Sequence, residues 1–167
     1  MQIRRLTVAD AQACRKLRLD GLRACPTAFT SSIEEAEAAP LADTKVRLAS
    51  PGQLFWGAFE AGVLCGMVGL ELEARAKARH KGTVVGMIVA AGQAGRGIGR
   101  ALLDALVQDA RVRRLELLLL TVTEGNDRAG RLYERAGFRS FGIEPRGIKV
   151  DGVSYAKNHM VLELAQQ

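Results

Sequence analysis

The sequence is poor in the residues that build covalent or metal-based frameworks. It has three cysteines, Cys14, Cys25 and Cys65, and two histidines among 167 residues. An odd number of widely spaced cysteines does not imply a disulfide framework, and the spacing of cysteine and histidine does not match a zinc site. We therefore expect free cysteines, buried mainly as small apolar side chains, and no bound metal.

Long hydrophobic runs are also lacking. No apolar stretch approaches the roughly 18 residues typical of a membrane span, and the longest run, around Leu117–Leu120, has the length of a strand. The first six residues are too polar and too alternating for a signal peptide. These features predict one domain covering residues 1–167, a cytoplasmic location and no membrane partner.

Aromatic residues make up only 5% of the chain, which limits how its positive charge is interpreted. The net charge of +6 suits a nucleic acid, an anionic membrane surface or a phosphate-rich cofactor. However, the densest basic run, residues 75–81, contains no aromatic residue on which bases could stack. A solvated loop is the favoured interpretation, and we expect no nucleic-acid partner.

Hydrophobic periodicity predicts alternating helices and strands in the order βααβββαβαββ, which gives a mixed sheet with helices on its faces. The stretch 28–39, with its acidic cluster, is predicted to be a loop. Residues 115–122 are almost entirely aliphatic, as is typical of a strand buried on both faces. The predicted helices cover residues 11–24, 41–49, 98–111 and 126–136, and the predicted strands cover 3–6, 54–59, 63–72, 83–90, 115–122, 138–143 and 155–164.

The most informative segment is the glycine-rich turn Gly95–Arg100, which lies between a predicted strand and a predicted helix. Alternate glycines leave the backbone N–H groups unobstructed, and the helix adds unpaired amides and the positive end of its dipole. This arrangement is typical of a phosphate-binding site.

Two common nucleotide motifs do not account for this turn. The segment Gly92–Gly97 has the spacing of a Walker loop, but Ile98 and Gly99 occupy the positions of the lysine and the hydroxyl residue. The dinucleotide fingerprint also fails, because its third glycine would fall on Arg100 or Leu102. Nucleotide hydrolysis and nicotinamide or flavin chemistry are therefore not supported.

A second motif lies downstream and indicates which ligand the turn binds. Val89 and the segment 96–103 resemble the acetyl-CoA loop of the Gcn5-related N-acetyltransferase (GNAT) superfamily, and Asn126–Phe138 resembles the second signature of that family, Asn-x-x-Ala-x-x-Leu-Tyr-x-x-x-Gly-Phe. The resemblance covers residues 83–143. It implies an α+β fold with a mixed, mostly antiparallel central sheet flanked by helices on both faces.

The resemblance also implies a set of contacts with acetyl-CoA as cosubstrate. The backbone of Ile88 and Val89 is expected to pair with the pantetheine arm, and Asn126 is expected to contact the cofactor or cap a helix. One position departs from the family pattern, because Ala94 stands where glutamine or arginine is usual. The residues expected at the pyrophosphate are Ala94, Gly95, Arg96, Gly97, Ile98, Gly99 and Arg100.

For catalysis, the resemblance implies that Tyr133 donates a proton to the departing thiolate, although a purely structural tyrosine on an apolar helix face is the alternative. The general base is harder to assign, because the strand 83–90 carries no acidic residue. Glu71 is the preferred candidate, ahead of Glu73 and His159.

The acceptor pocket of this family involves the first helices, their loop and the last strands, which suggests Phe29, Glu34, Glu35 and Tyr155. We expect an N-acetyltransferase that moves an acetyl group to the primary amine of a small molecule or peptide by direct attack. The alternative is a non-catalytic acyl-CoA-binding regulatory module on the same fold. Edge strands near the C-terminus make a homodimer a possible assembly.

Overall fold

A computed structural model describes residues 1–165, two residues short of the predicted domain end at 167. Its centre is a seven-stranded sheet in the order β1-β2-β3-β4-β5-β7-β6, and every neighbouring pair is antiparallel except β4 and β5. The predicted mixed, mostly antiparallel sheet is confirmed. The strands are β1 (Gln2–Arg5), β2 (Gln53–Glu60), β3 (Val63–Leu72), β4 (Lys81–Val89), β5 (Leu117–Thr123), β6 (Arg139–Val150) and β7 (Val153–Glu163).

Among residues 1–165, five helices accompany the sheet, and α1 and α3 have the predicted bounds. In the part of the chain that the structure describes, no helix has the length and apolar character needed to cross a bilayer. The helices are α1 (Ala11–Ala24), α2 (Ile33–Ala38), α3 (Leu41–Ala49), α4 (Ile98–Val112) and α5 (Asp127–Arg135), with 3-10 turns at Val8–Asp10 and Pro26–Ala28.

The helix α2 corrects the predicted loop at 28–39. Ser32 caps it, because the Ser32 hydroxyl accepts from the N–H of Glu35 at 3.1 Å and the Glu35 carboxylate accepts from the N–H of Ser32 at 2.8 Å. Glu34 and Glu35 therefore lie in the first turn of a short helix, where their negative charge interacts favourably with the positive end of the helix dipole.

Helices cover both faces of the sheet, as predicted. The amphipathic helix α4 packs on one face against β1 to β4, and its buried residues join the larger core. The helices α1 and α3 cover the opposite face of β2 to β4, where a smaller core includes Phe55, Met67 and Ile88. The central strands β2 to β4 thus lie between two distinct apolar layers.

The strands β4 and β5 separate soon after they begin. They pair over three residues only, Lys81–Thr83 with Leu117–Leu119. Beyond this point, β4 stays paired with β3, and a bulge at Gly86 places one extra residue on β4. Gly86 has a φ of +60°, and such a bulge bends the strand. The edge of β4 that faces β5 is consequently open along its second half.

Two further expectations are wrong in detail. Pro145, predicted to lie in a loop, belongs to β6, which tolerates it because the register with β7 is irregular between Glu144 and Ile148. The strand β5 is not buried on both faces along its length: Leu118 and Leu120 are buried on the α4 side, whereas Leu117, Leu119 and Thr121 are partly or fully exposed. The reason is that α1 and α3 cover β2 to β4 and leave the neighbouring part of that face thinly covered.

Candidate functional site

The glycine-rich turn forms an open concavity at the beginning of α4. Gly92, Gly95 and Gly97 have φ values of +80°, +80° and +77°, and a Cβ atom placed on any of them would meet no heavy atom within 4 Å. Gly97 is the N-cap, and the first helical hydrogen bond runs from the N–H of Ala101 to its carbonyl at 3.0 Å. The amides of residues 98–100 precede this bond, so they are free to bind an anion.

The second sequence motif lies directly against this turn. A Cβ atom on Gly99 would approach the Leu132 side chain to 3.2 Å, so the glycine allows α4 and α5 to come close together. Arg100 also donates a hydrogen bond to the carbonyl of Arg135 at 3.0 Å. The two motifs, separated by a helix and a strand in the sequence, therefore form one surface.

The open edge of β4 leads into the same region. The N–H of Ala90 donates to the carbonyl of Cys65 at 2.8 Å, and Ile88 and Val89 lie opposite Met67 and Gly66. Because backbone polar groups alternate between the two edges of an antiparallel strand, those of Ile88 are directed at β3 and those of Val89 at the gap. An extended ligand with amide groups could pair with Val89 there.

Tyr133 lies on the inner side of α5 and is 6% exposed. Its ring packs edge-on against Phe138 at a centroid distance of 5.8 Å, in the core that also contains Ile98 and borders Val89. Within residues 1–165 its hydroxyl has no hydrogen-bond partner, and burial alone raises the pKa of Tyr133 well above its ordinary value. The phenol is therefore neutral, which is the form that donates a proton.

The polar side chains of the predicted site mostly form hydrogen bonds and ion pairs with other protein groups. Arg96 forms an ion pair with Glu60 at 2.6 Å and also donates a hydrogen bond to the side chain of Gln93, the residue before the exposed Ala94. Asn126 is the N-cap of α5, and its side chain accepts from the N–H of Ala129 at 3.3 Å.

A cavity of about 260 Å³ opens on the opposite face of the sheet, between α1, α3 and strands β2 to β4. Its apolar floor includes Phe55, Met67 and Val85, and it reaches the bulge at Gly86. Phe29, predicted to contact the acceptor, lies in its wall. The cavity is thus adjacent to the place where β4 leaves β5.

Two other residues predicted to contact the acceptor, Glu34 and Tyr155, lie outside this cavity. Glu34 is exposed on α2, and Tyr155 is half-buried on β7 opposite Ile148. Glu71 lies in an adjoining depression that also includes Glu73. His159 pairs with Glu144 across strands β6 and β7, and neither residue lines the cavity.

Glu71 is connected to the cavity through Arg47. Its carboxylate accepts a hydrogen bond from Gln53 at 3.1 Å and lies 3.9 Å from the Arg47 guanidinium. Arg47 lines both the cavity and the depression that contains Glu71.

The cysteines offer no activated nucleophile. Cys14 contributes to the cavity wall, but burial raises the pKa of its thiol to about 11, so the reactive thiolate is scarce at neutral pH. Burial also raises the pKa of Cys65. Cys25 is exposed and lies outside the cavity. These positions favour chemistry in which the acceptor attacks directly.

Sequence reasoning missed the basic lining of the cavity. Arg15 and Arg18 lie between apolar residues of α1, a pattern that predicts a solvated helix face, yet both are half-buried and line the cavity together with Arg47 of α3. No signal in the sequence reveals this, because α3 lies more than twenty residues downstream and only the tertiary packing brings the two helices together.

Comparisons with known proteins agree with this geometry. The family model described as the acetyltransferase (GNAT) family matches residues 18–138. Among curated proteins, none matches the sequence.

Several solved structures share the fold. The yncA protein from Salmonella typhimurium, solved with its cofactor acetyl-CoA, is 21% identical with a TM-score of 0.82, covering 100% of this chain and 95% of its own. Ribosomal-protein-alanine N-acetyltransferase from Brucella melitensis is 23% identical with a TM-score of 0.80, covering 98% and 100%. An N-acetyltransferase from Staphylococcus aureus is 18% identical with a TM-score of 0.80, covering 97% of both chains.

Proposed function

Because the chain belongs to the acetyltransferase (GNAT) family and is an acetyl-CoA-dependent acyltransferase, we propose that it acetylates the primary amine of a small molecule or peptide by direct attack. The observation that carries this proposal is the convergence of three features. The glycine-rich turn, the open edge of β4 and the buried Tyr133 surround one region, and a separate cavity reaches the same strand at Gly86.

The residues present fit acetyl-CoA. The empty space above Gly95 and Gly97 and the free amides of residues 98–100 suit a pyrophosphate, and the backbone of Val89 suits the pantetheine amides. We assign Asn126 and the predicted residues 94–100 to cofactor binding, and we favour Val89 over Ile88, whose polar groups are directed at β3. When bound, acetyl-CoA supplies an activated acetyl thioester.

The residues of the chain would then transfer protons and position the acceptor. Tyr133 holds a proton on its phenolic oxygen, available to a departing thiolate. The cavity floor of Phe55, Met67 and Val85 would exclude water from the acceptor and align its amine with the bulge. Glu71 is our candidate base, acting through water from the adjoining depression, two residues along β3 from the Gly69–Val85 pair beside the bulge.

The direct test measures free thiol released from acetyl-CoA in the presence of a panel of amines. We expect thiol release that depends on the acceptor and an equal amount of acetylated amine. After incubation with acetyl-CoA alone, the intact mass should be unchanged, because direct attack requires no acetylated enzyme. Tight acetyl-CoA binding without release for any amine would instead support the non-catalytic binding module.

Glu71→Gln provides a test of the base. We expect kcat to fall at least tenfold at pH 7, within the range typical of general-base catalysis, and the deficit to shrink as the pH rises and more acceptor arrives unprotonated. Steady-state rates from pH 6 to 10 would show this, with the exposed Glu163→Gln as control. An equal deficit at every pH would mean that Glu71 acts only by positioning Arg47.

A further inference from the structure

The cavity beside Gly86 has an unbalanced charge. Three guanidinium groups line it, from Arg15, Arg18 and Arg47, and none of its lining residues is acidic. Arg15 is occupied by the backbone, since it donates to the carbonyls of Glu37 and Ala39 at 3.0 and 3.2 Å. Arg18 and Arg47 are therefore the two cations available to a ligand.

Arg18 is the less compensated of the two. Its hydrogen-bond partner is the neutral hydroxyl of Ser31 at 2.9 Å, and no carboxylate of residues 1–165 pairs with it. Burial, with a contribution from the positive charge of Arg47, lowers the pKa of Arg18. Two neighbouring cations in a partly buried cavity repel each other and lose hydration, so an anion placed between them would be stabilised.

Arg47 is held in place but only partly neutralised. Its guanidinium lies 5.2 Å from the centre of the Phe55 ring, while its contact with Glu71 at 3.9 Å is at the outer limit of an ion pair. The stacking on Phe55 orients a planar fork of N–H donors that matches the geometry of a carboxylate.

The size of the cavity limits the size of a ligand whose anionic group lies between Arg18 and Arg47. Its volume of about 260 Å³ is below the roughly 300–1,000 Å³ typical of pockets for drug-sized ligands. Its floor is apolar, and one end reaches the bulge of β4, where the amine would meet the acetyl donor. The space thus suits a small molecule with a carboxylate, a short apolar portion and an amine.

We propose that Arg18 and Arg47 form a carboxylate-binding subsite and that the acceptor is a small amino acid or a close analogue. This inference rests on the proposed acetyltransferase function and specifies its substrate class.

The first experiment compares matched acceptors with the wild-type enzyme. Free amino acids are screened by thiol release, and the best is compared with its amide and with the amine that lacks the carboxyl group. We expect kcat/KM to fall about thirtyfold or more when the carboxylate is removed, as is typical when one partner of a buried charge pair is lost. Equal rates for the three acceptors would overturn the subsite while leaving the acetyltransferase function intact.

The second experiment changes the subsite. Arg18→Gln should raise KM for the amino acid about thirtyfold, leave KM for acetyl-CoA within about twofold, and remove the preference for carboxylate over amide. Arg18→Lys should restore part of that preference, because it keeps the charge without the fork. The control is Arg23→Gln on the same helix, where Arg23 is 53% exposed and paired with Glu37 at 2.5 Å.

The outcomes separate the two hypotheses. A loss in Arg18→Gln that is equal for acid and amide would overturn the subsite, because a structural defect has no reason to favour one acceptor. If Arg18→Gln fails to fold, the wild-type series alone decides the subsite. If no amine of any class releases thiol although acetyl-CoA binds, the acetyltransferase proposal itself fails and this inference with it.

Discussion

Tyr133→Phe is expected to lower turnover at least tenfold while acetyl-CoA binds almost as tightly as it does to the wild type. The substitution removes one oxygen atom and keeps the ring, so the edge-on packing against Phe138 is preserved. General acid catalysis typically contributes about 10²- to 10⁴-fold. A tenfold loss is therefore a conservative lower bound for a phenol that protonates the departing sulfur.

The surroundings of Tyr133 make this substitution informative. Since no protein group among residues 1–165 binds its hydroxyl, removing that hydroxyl leaves no buried donor or acceptor without a partner. The melting temperature should then stay close to that of the wild type. If Tyr133 has only a structural role, Tyr133→Phe will leave turnover unchanged. That outcome would exclude the catalytic role.

The pH dependence supplies an independent measurement. Burial raises the pKa of Tyr133 above its ordinary value, so the phenol stays protonated through the alkaline range in which free tyrosine ionises. We expect the wild-type kcat to show no fall between pH 8 and about 10. A descending limb there that disappears in Tyr133→Phe would contradict the raised pKa.

Gly97→Val is expected to weaken acetyl-CoA binding about thirtyfold or more, the second large effect. Gly97 has a φ of +77°, at which a side chain costs about 1–2 kcal/mol. The added side chain would also occupy the space that the structure leaves empty above the free amides of α4. Both effects would disturb the predicted anion site. The expected thirtyfold loss corresponds to about 2 kcal/mol of binding free energy, because each 1.4 kcal/mol changes the affinity tenfold.

The β6–β7 turn offers a matched control for backbone strain. Gly152 has a φ of +79°, and a Cβ atom placed on it would also meet no heavy atom within 4 Å. Gly152→Val therefore imposes a similar backbone penalty in a turn outside the predicted cofactor site. Calorimetric titration with acetyl-CoA should give a wild-type dissociation constant for Gly152→Val. If Gly97→Val also binds within about threefold of the wild type, the turn does not hold the pyrophosphate.

Local sequence signals predicted most of the fold. The helices α1 and α3 and the strand β3 have the predicted bounds, because apolar periodicity and flanking proline or glycine residues define them within a few residues. The errors occurred where longer-range structure prevailed. Pro145 lies inside β6 because an irregular register with β7 accommodates it, and no local pattern announces such an irregularity.

The site was predictable to the extent that it depends on the backbone near one motif. Glycines that allow a left-handed turn before a helix are visible in the sequence, and the structure places them at an open surface at the beginning of α4. The roles of Tyr133, Glu71 and Asn126 stay predictions until the variants are measured. The acceptor residues stay predictions as well: Phe29 lies in the cavity wall, whereas Glu34 and Tyr155 lie outside the cavity.

The sequence by itself determined the donor side of this protein: its family, its dependence on acetyl-CoA and the turn expected to bind the pyrophosphate. The turn follows from backbone conformation over a few consecutive residues, which glycine spacing encodes directly, whereas the family and its cosubstrate follow from the resemblance of two motifs to the family's signatures. Only the tertiary structure revealed the basic cavity that we propose for the acceptor. Arg18 and Arg47 belong to different helices, and their charges meet because both helices pack on one face of the sheet beside the bulge at Gly86. Periodicity assigns an arginine to the polar face of its own helix, but packing decides whether that face meets water or a cavity.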